Sequence, residues 1–270
     1  VNLNYRVEQK SFPLLKRLSF SIVIPFKNNE EDHKRLVNLE TCLAYYKKHF
    51  PKSEIIVAEQ FESEPIFNMD GIVKADVKLK SAISRSKLLN AGWGKSTKEV
   101  ILFCDNDYIL QVDSILSSVS LIQNGIYDII KPYRCIFNLP QEYDQANNSI
   151  EELDLNICSF EADWIALTGG SFIVSNKFYN NMGGFDESFI GWGGEDDASS
   201  IVAINLGKYI SYDSHALHLY HKKINKFFTD VERRQYAKNQ NQLGRVSRMD
   251  QVQFDEYVSS LRKNLEQYKK

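Results

Sequence analysis

In Glu99-Val100-Ile101-Leu102-Phe103-Cys104-Asp105-Asn106-Asp107 an uninterrupted apolar run ends on two aspartates. The run is too short for a buried helix and reads as a strand covered on both faces. Working outward, Phe20-Ser21-Ile22-Val23-Ile24-Pro25 is a second run of the same kind, and Glu54 to Glu59 a third. Between those two, Asn29 to His49 places Glu30, Glu31 and Asp32 first and Lys47, Lys48 and His49 last, the charge order a helix dipole favours, and Pro51 stops it. Ser84 to Trp93 reads as a helix closed by Gly94. Asp113 caps a helix that Gly125 ends, and Tyr127 to Lys131 is strand-like. Apolar strands alternating with helices predict an α/β fold, a mostly parallel central sheet with helices on both faces. Ligands of such sheets sit at the carboxyl ends of the strands, which is where Asp105 and Asp107 fall.

Downstream, about residues 138–159 form a polar, aperiodic loop, followed by a strand-like Gly170 to Ser175. A glycine-rich run from Gly183 to Gly194 then precedes a helix from Glu195 to Leu206 closed by Gly207, and the last forty residues read as helical. With 43% apolar and 25% charged residues and only 13 Gly and 6 Pro, the 270-residue chain is not collagen-like, low-complexity or disordered. No apolar stretch approaches the roughly 18 residues of a membrane helix. Cys42, Cys104, Cys135 and Cys158 are far apart without a C-x-x-C pair, which predicts free thiols in a reducing compartment. Residues 222–270 carry 12 Lys/Arg against 6 Asp/Glu, net +6, which leaves residues 1–221 with 21 against 29, net -8. That basic end is either a solvated helical face or a contact for an anionic surface such as phospholipid, and no nucleic-acid partner is expected.

Three constellations carry chemistry. Asp105 and Asp107, where a buried strand emerges, can share a hard divalent cation and leave coordination positions for phosphate oxygens. An Asx-rich turn has the same composition, so the position gives the pair its meaning. Next, Gly183-Gly184-Phe185-Asp186-Glu187 leads to Gly191-Trp192-Gly193-Gly194-Glu195-Asp196-Asp197. Glycines around Trp192 let backbone approach a ligand and leave the indole face for stacking on a sugar ring. Dipole compensation accounts for one or two of the acids that follow, but not for the glycines, and a carboxylate held there can act as general base toward a hydroxyl. Third, His215, His218 and His221 are three of the five histidines, and one can complete a metal shell begun by Asp107. In an extended chain His215 and His221 face one side and His218 the other. Lys222 and Lys223 add charge suited to a diphosphate. Arg85 and Asn90 can contact phosphate or ribose, and Thr168-Gly169-Gly170-Ser171 is a tight packing site or an acceptor loop.

Taken together, SIVIPFKN (21–28), SRSKLLNAGW (84–93), ILFCDND (101–107), TGGSF (168–172) and NMGGFDESFIGWGGEDDASS (181–200) resemble the GT-A glycosyltransferases. The likeness is to family 2 enzymes sharing the C-terminal motif of β-1,4-galactosyltransferases, chondroitin polymerases and polypeptide N-acetylgalactosaminyltransferases, over about residues 19–223. It implies a GT-A domain at 1–225, with a nucleotide half at about 19–110 and an acceptor half at about 111–225, then a basic helical extension at 226–270. It also implies a UDP-sugar donor bound with Mn2+ or Mg2+ and transferred with inversion to a glycan or lipid-linked acceptor. Pro25, Phe26, Glu59, Arg85 and Asn90 would line the donor pocket. Asp105 and Asp107 would engage ribose and metal, Asp105 sharing the ion, with Asn106 at the variable middle position. His221 would be the later metal ligand, with His218 as its rival. Trp192, Gly193, Glu195 and Gly170 would hold the acceptor, and Asp196 would be the base.

A nucleotidyltransferase would carry a glycine-rich loop after the first strand, where this chain reads Pro25-Phe26-Lys27-Asn28-Asn29. A non-catalytic sugar-binding module would use Trp192 but have no need of a nucleotide pocket or a base. With free thiols, a basic end, no N-terminal membrane anchor and no following lectin domain, the expected location is the cytoplasm. There the chain would lie peripherally at the inner membrane face, in bacterial surface polysaccharide synthesis.

Overall fold

The computed structural model describes residues 18–28, 34–80, 82–143, 148–162, 166–222 and 229–269. In chain order the described elements are β1 (Ser21–Lys27), α1 (Lys34–His49), β2 (Glu54–Phe61), β3 (Val73–Lys78), α2 (Arg85–Trp93), β4 (Val100–Cys104), β5 (Tyr108–Leu110), α3 (Val112–Gln123) and β6 (Ile129–Lys131). They continue with β7 (Cys135–Asn138), β8 (Ser159–Ala162), β9 (Ser171–Ser175), α4 (Asn176–Met182), α5 (Glu195–Leu206), β10 (Tyr209–Ser211), β11 (His215–His218), α6 (Asp230–Val246) and α7 (Gln251–Leu265).

The central sheet runs β10-β6-β9-β4-β1-β2-β3. Only β9 is antiparallel to its neighbours, so the sheet is mostly parallel, as expected. Side chains alternate across it. Ile22, Ile24 and Phe26 of β1 pack with Leu39, Leu43 and Tyr46 of α1 and Ile115 and Val119 of α3. Val23, Phe103 and Phe172 point to the opposite face, against Leu88 and Leu89 of α2, Tyr179 of α4 and Val202 of α5. Strand β1 lies between β2 and β4, so the chain winds away from it in both directions and a crevice opens at the carboxyl ends of β1 and β4.

Where α2 meets the sheet, a Cβ added to Gly92 would strike Val23 Cγ1. Replacing Gly92 by Ala gains at most about 1 kcal/mol of helix propensity. Overpacking costs about 1–3 kcal/mol, so Gly92→Ala should lower stability, read as a reduced urea midpoint with an unchanged slope.

Several elements depart from the sequence reading. Helix α3 starts at Val112 with Gln111 as its N-cap; Asp113 sits inside the first turn, where its charge still suits the dipole. The acids Glu30, Glu31 and Asp32 at the expected start of α1, and the 225/226 boundary, lie outside the described residues. Edge strand β3 was not foreseen: in VKADVK only Ala75 and Val77 are buried, and the charges between them mask the pattern. A second sheet, β5-β11-β7-β8, is built from strands of three or four residues, too short to show a period.

The C-terminal helices are packed into the body. Phe254, Val258, Leu261 and Leu265 of α7 complete the second core. Gly183, at φ +84°, ends α4 in a left-handed turn where a side chain would strike Leu261. Thr229 with Glu232 and Asp250 with Gln253 form capping boxes that start α6 and α7. Among the described residues no helix is long and apolar enough to cross a membrane.

Candidate active site

Strand β4 delivers Asp105, Asn106 and Asp107 to the crevice, and the backbone there is pinned on both sides. Asp105 N donates to Gly170 O at 2.9 Å, and Leu219 N to Asp107 O at 2.7 Å. Asn106 is buried, and its amide donates to Arg35 O.

Two clusters meet at this turn. In the first, Arg85, at the first position of α2, extends its guanidinium between two distant acids. Its Nε donates to Asp105 Oδ1 at 2.8 Å and its Nη1 to Asp196 Oδ1 at 2.5 Å. The strand-end aspartates and the acids opening α5 therefore stand one guanidinium apart. Arg85 Nη2 is buried without a partner, as is Asn28 Oδ1 just past the end of β1, among the described residues.

Glu195, Asp196 and Asp105 crowd round this one guanidinium. Although 26% of the Asp196 side chain reaches solvent, burial pushes its carboxyl up to about 8; Arg85 opposes the shift, while Glu195 and Asp105 reinforce it. Burial likewise raises Glu195 and Asp105 against the pull of Arg85. Burial alone would lower the Arg85 guanidinium, but Asp105, Asp196 and Glu195 hold it above its ordinary value. Thr168 Oγ1 donates to Asp196 O, tying the start of α5 to the loop before β9.

The second cluster is produced by strand register. Antiparallel pairing of β11 with β5 sets His218 opposite Tyr108, next to Asp107. The chain then leaves the strand, so the alternation that separates His218 from His221 in an extended segment no longer holds. His221 Nε2 lies 3.2 Å and His218 Nε2 3.9 Å from Asp107 Oδ2. One ligand atom from each residue falls within 4.8 Å of the others. The expected pairing of His215 with His221 on one side is corrected: His215 turns to Gln111, 3.0 Å away. Both converging rings are anchored at Nδ1, His218 by Asn138 Oδ1 at 2.8 Å and His221 by Lys222 O at 3.1 Å. That leaves each Nε2 toward Asp107, the arrangement of second-shell partners that orient metal-binding imidazoles. Burial would raise Asp107, but the His221 hydrogen bond and nearby His218 hold it below the usual carboxylate range; the same bond raises His221. A cavity of about 690 Å³ opens beside His218, His221 and Tyr220.

The structure places the other expected site residues as follows. Asn90 is buried on α2. Its Nδ2 donates to Phe185 O and Glu187 Oε1, and its Oδ1 accepts from Tyr179 Oη and Phe185 N, so it clamps the Gly183-Gly184-Phe185 turn. Pro25 and Phe26 are buried in β1, Phe26 in the first core. Glu59 is buried and accepts from the backbone N–H groups of Ile66 and Phe67, holding the chain after β2. Gly170, at φ +67°, sits against Tyr133 and Tyr108 and supports Asp105 from behind. Trp192 is 52% exposed. Its ring stacks on Tyr236 of α6, a residue that sequence reasoning missed because nothing local ties position 236 to the glycine run.

Residues 21–260 match the family described as Glycosyltransferase like family 2. The chain belongs to this glycosyltransferase family. Beta-1,4-galactosyltransferase 1 of Bos taurus is 25% identical over 177 residues, which cover 66% of this chain and 34% of that protein. The chain thus spans about a third of the length of the curated relative it matches. Among solved structures, GalNAc-T7 with UDP, GalNAc and Mn2+ aligns with a TM-score of 0.53 at 16% identity, over 76% of this chain and 44% of that one. S. aureus TarS 1-349 in complex with UDP-GlcNAc aligns with a TM-score of 0.54 at 12% identity, over 90% and 71%. The family's fold is the GT-A fold, as the sequence motifs implied.

Proposed function

We propose that this chain transfers a hexose or N-acetylhexosamine from a UDP-sugar to a glycan or lipid-linked acceptor, with inversion and with a bound divalent cation. The observation that carries the reading is the Arg85 bridge, which brings the strand-end acids and the α5 acids to a single cleft. Support also comes from the two structural relatives, one solved with UDP, GalNAc and Mn2+ and the other with UDP-GlcNAc.

The donor set at the second cluster fits Mn2+: one carboxylate and two imidazole nitrogens, preorganised at Nδ1 and grouped within 4.8 Å. Asp107, His218 and His221 would hold the ion. Asp105, expected to share it, is engaged by Arg85. When bound, the cation supplies positive charge for the negative charge that develops on a departing diphosphate. Arg85 would hold Asp105 and Asp196 in place between donor and acceptor. Asp196 takes the proton of the acceptor hydroxyl as the new glycosidic bond forms and the bond to UDP breaks, in one displacement. Ordering two substrates in one site lowers the barrier by about a further 7–11 kcal/mol.

The acceptor is reached past Trp192. A lipid-linked acceptor would meet the basic end through charge, because the apolar face of α7 is occupied by the core. The reading is tested by UDP release from UDP-galactose, UDP-N-acetylgalactosamine, UDP-glucose and UDP-N-acetylglucosamine, with and without Mn2+. Turnover of one of them that EDTA stops and Mn2+ restores is the expected result; no release from any of the four would end the proposal. Asp107→Asn should raise the Mn2+ concentration for half-maximal release about tenfold or more. An unchanged Mn2+ requirement would remove Asp107 from the ligand set.

A further inference from the structure

The Gly191–Gly194 segment lacks the means to hold its own shape. Gly191, Gly193 and Gly194 have φ of +71°, +99° and +93°, so the loop contains no side chain but the indole to stiffen it. Its conformation is set from outside, by Ile83 O, which accepts from Gly191 N at 2.8 Å, and by one face of α6. Asn239 is buried, and its Nδ2 donates to Ile190 O at 2.9 Å and Trp192 O at 3.2 Å, fixing the backbone on either side of Gly191. Gln235 Nε2 donates to Asn239 Oδ1 and fixes that amide's orientation. One turn earlier on the same face, the Tyr236 ring lies 5.4 Å from the Trp192 ring at an interplanar angle of 21°. A Cβ on Gly193 would come within 3.0 Å of the Tyr236 ring, so the contact has no room for a shifted loop.

We infer that Tyr236 is a positioning residue of the acceptor site: its ring backs the Trp192 indole and holds it as the platform on which an acceptor sugar stacks. This rests on the transferase reading, and it makes α6 a wall of the acceptor site. An indole without its backing samples several rotamers, so a sugar that binds must first select one, and affinity falls by the fraction of time the competent rotamer is absent. The effect is expected at the acceptor, because Tyr236 packs on the Trp192 ring and beside Gly193.

The test uses quenching of tryptophan emission by p-nitrophenyl N-acetyl-β-glucosaminide and p-nitrophenyl β-galactoside, together with UDP release in the absence of acceptor. Tyr236→Ala should weaken glycoside binding about tenfold. Tyr236→Phe should bind as the parent does, and both should release UDP at the parental rate. Tyr236→Leu, which keeps apolar volume without an aromatic face, should behave as Tyr236→Ala and guards against a folding defect, checked by the thermal midpoint. Parental binding by Tyr236→Ala, equal loss in Tyr236→Phe, or no glycoside quenching in the parent would each overturn the assignment. Glycoside binding without UDP release from any UDP-sugar would instead sink the transferase reading and leave the platform standing.

Discussion

Asp196→Asn should lower kcat about a hundred- to ten-thousandfold while changing UDP-sugar affinity less than about threefold, the range a general base contributes. The amide keeps the size and one acceptor oxygen of the carboxylate, so Arg85 retains a partner at that end and its bond to Asp105 on the donor side is undisturbed. Only the capacity to take a proton is lost. Burial sets the Asp196 carboxyl up to about 8 in the free protein, so kcat/KM should climb with pH as that group deprotonates and flatten above it. That acidic limb should vanish in the residual activity of Asp196→Asn. Equal losses in kcat and donor affinity would place Asp196 in the donor site instead.

Arg85→Ala should be the most destabilising single change at the site. Removing one partner from a buried charge cluster costs about 3–5 kcal/mol, and the lower end applies because about a quarter of the Asp105 and Asp196 side chains stays in water. The pH dependence has a definite sign. A carboxyl raised from near 4 in the unfolded chain binds more protons in the folded state across that interval, so its contribution to stability is lost as pH rises toward about 8. Without the guanidinium this loss deepens. The deficit of Arg85→Ala should therefore be largest near pH 8 and shrink toward pH 5, as followed by urea unfolding at both pH values. A deficit independent of pH would mean that Arg85 acts through packing, for instance against the Phe185 ring beneath it.

What could be read from the chain follows from how local each signal is. Strands β1 and β4 are buried on both faces, so their apolar runs stand out, and the glycine run before Glu195 announces both a turn and a helix start. The two acid motifs were legible for the same reason. Their junction was not, because Arg85 is 20 residues from Asp105 and 111 from Asp196, and only the fold brings them together. The histidines show the limit of a periodicity argument. Alternation holds within β11, but the strand ends at His218, and the turn through Leu219 reverses the expected partners. The resemblance put Asn90 and Glu59 in the donor pocket; in the fold both are engaged in hydrogen bonds to neighbouring segments that no local pattern announces.

Helix α7 supplies the closing piece of a core whose first strand begins at Ser21. During synthesis, the surface of α4 and the Gly183-Gly184 turn on which Leu261 and Leu265 pack therefore stays uncovered until Leu265 has left the ribosomal tunnel. A stalled or truncated product lacking those last turns would expose that apolar surface, and would be a substrate for chaperones rather than a smaller working enzyme.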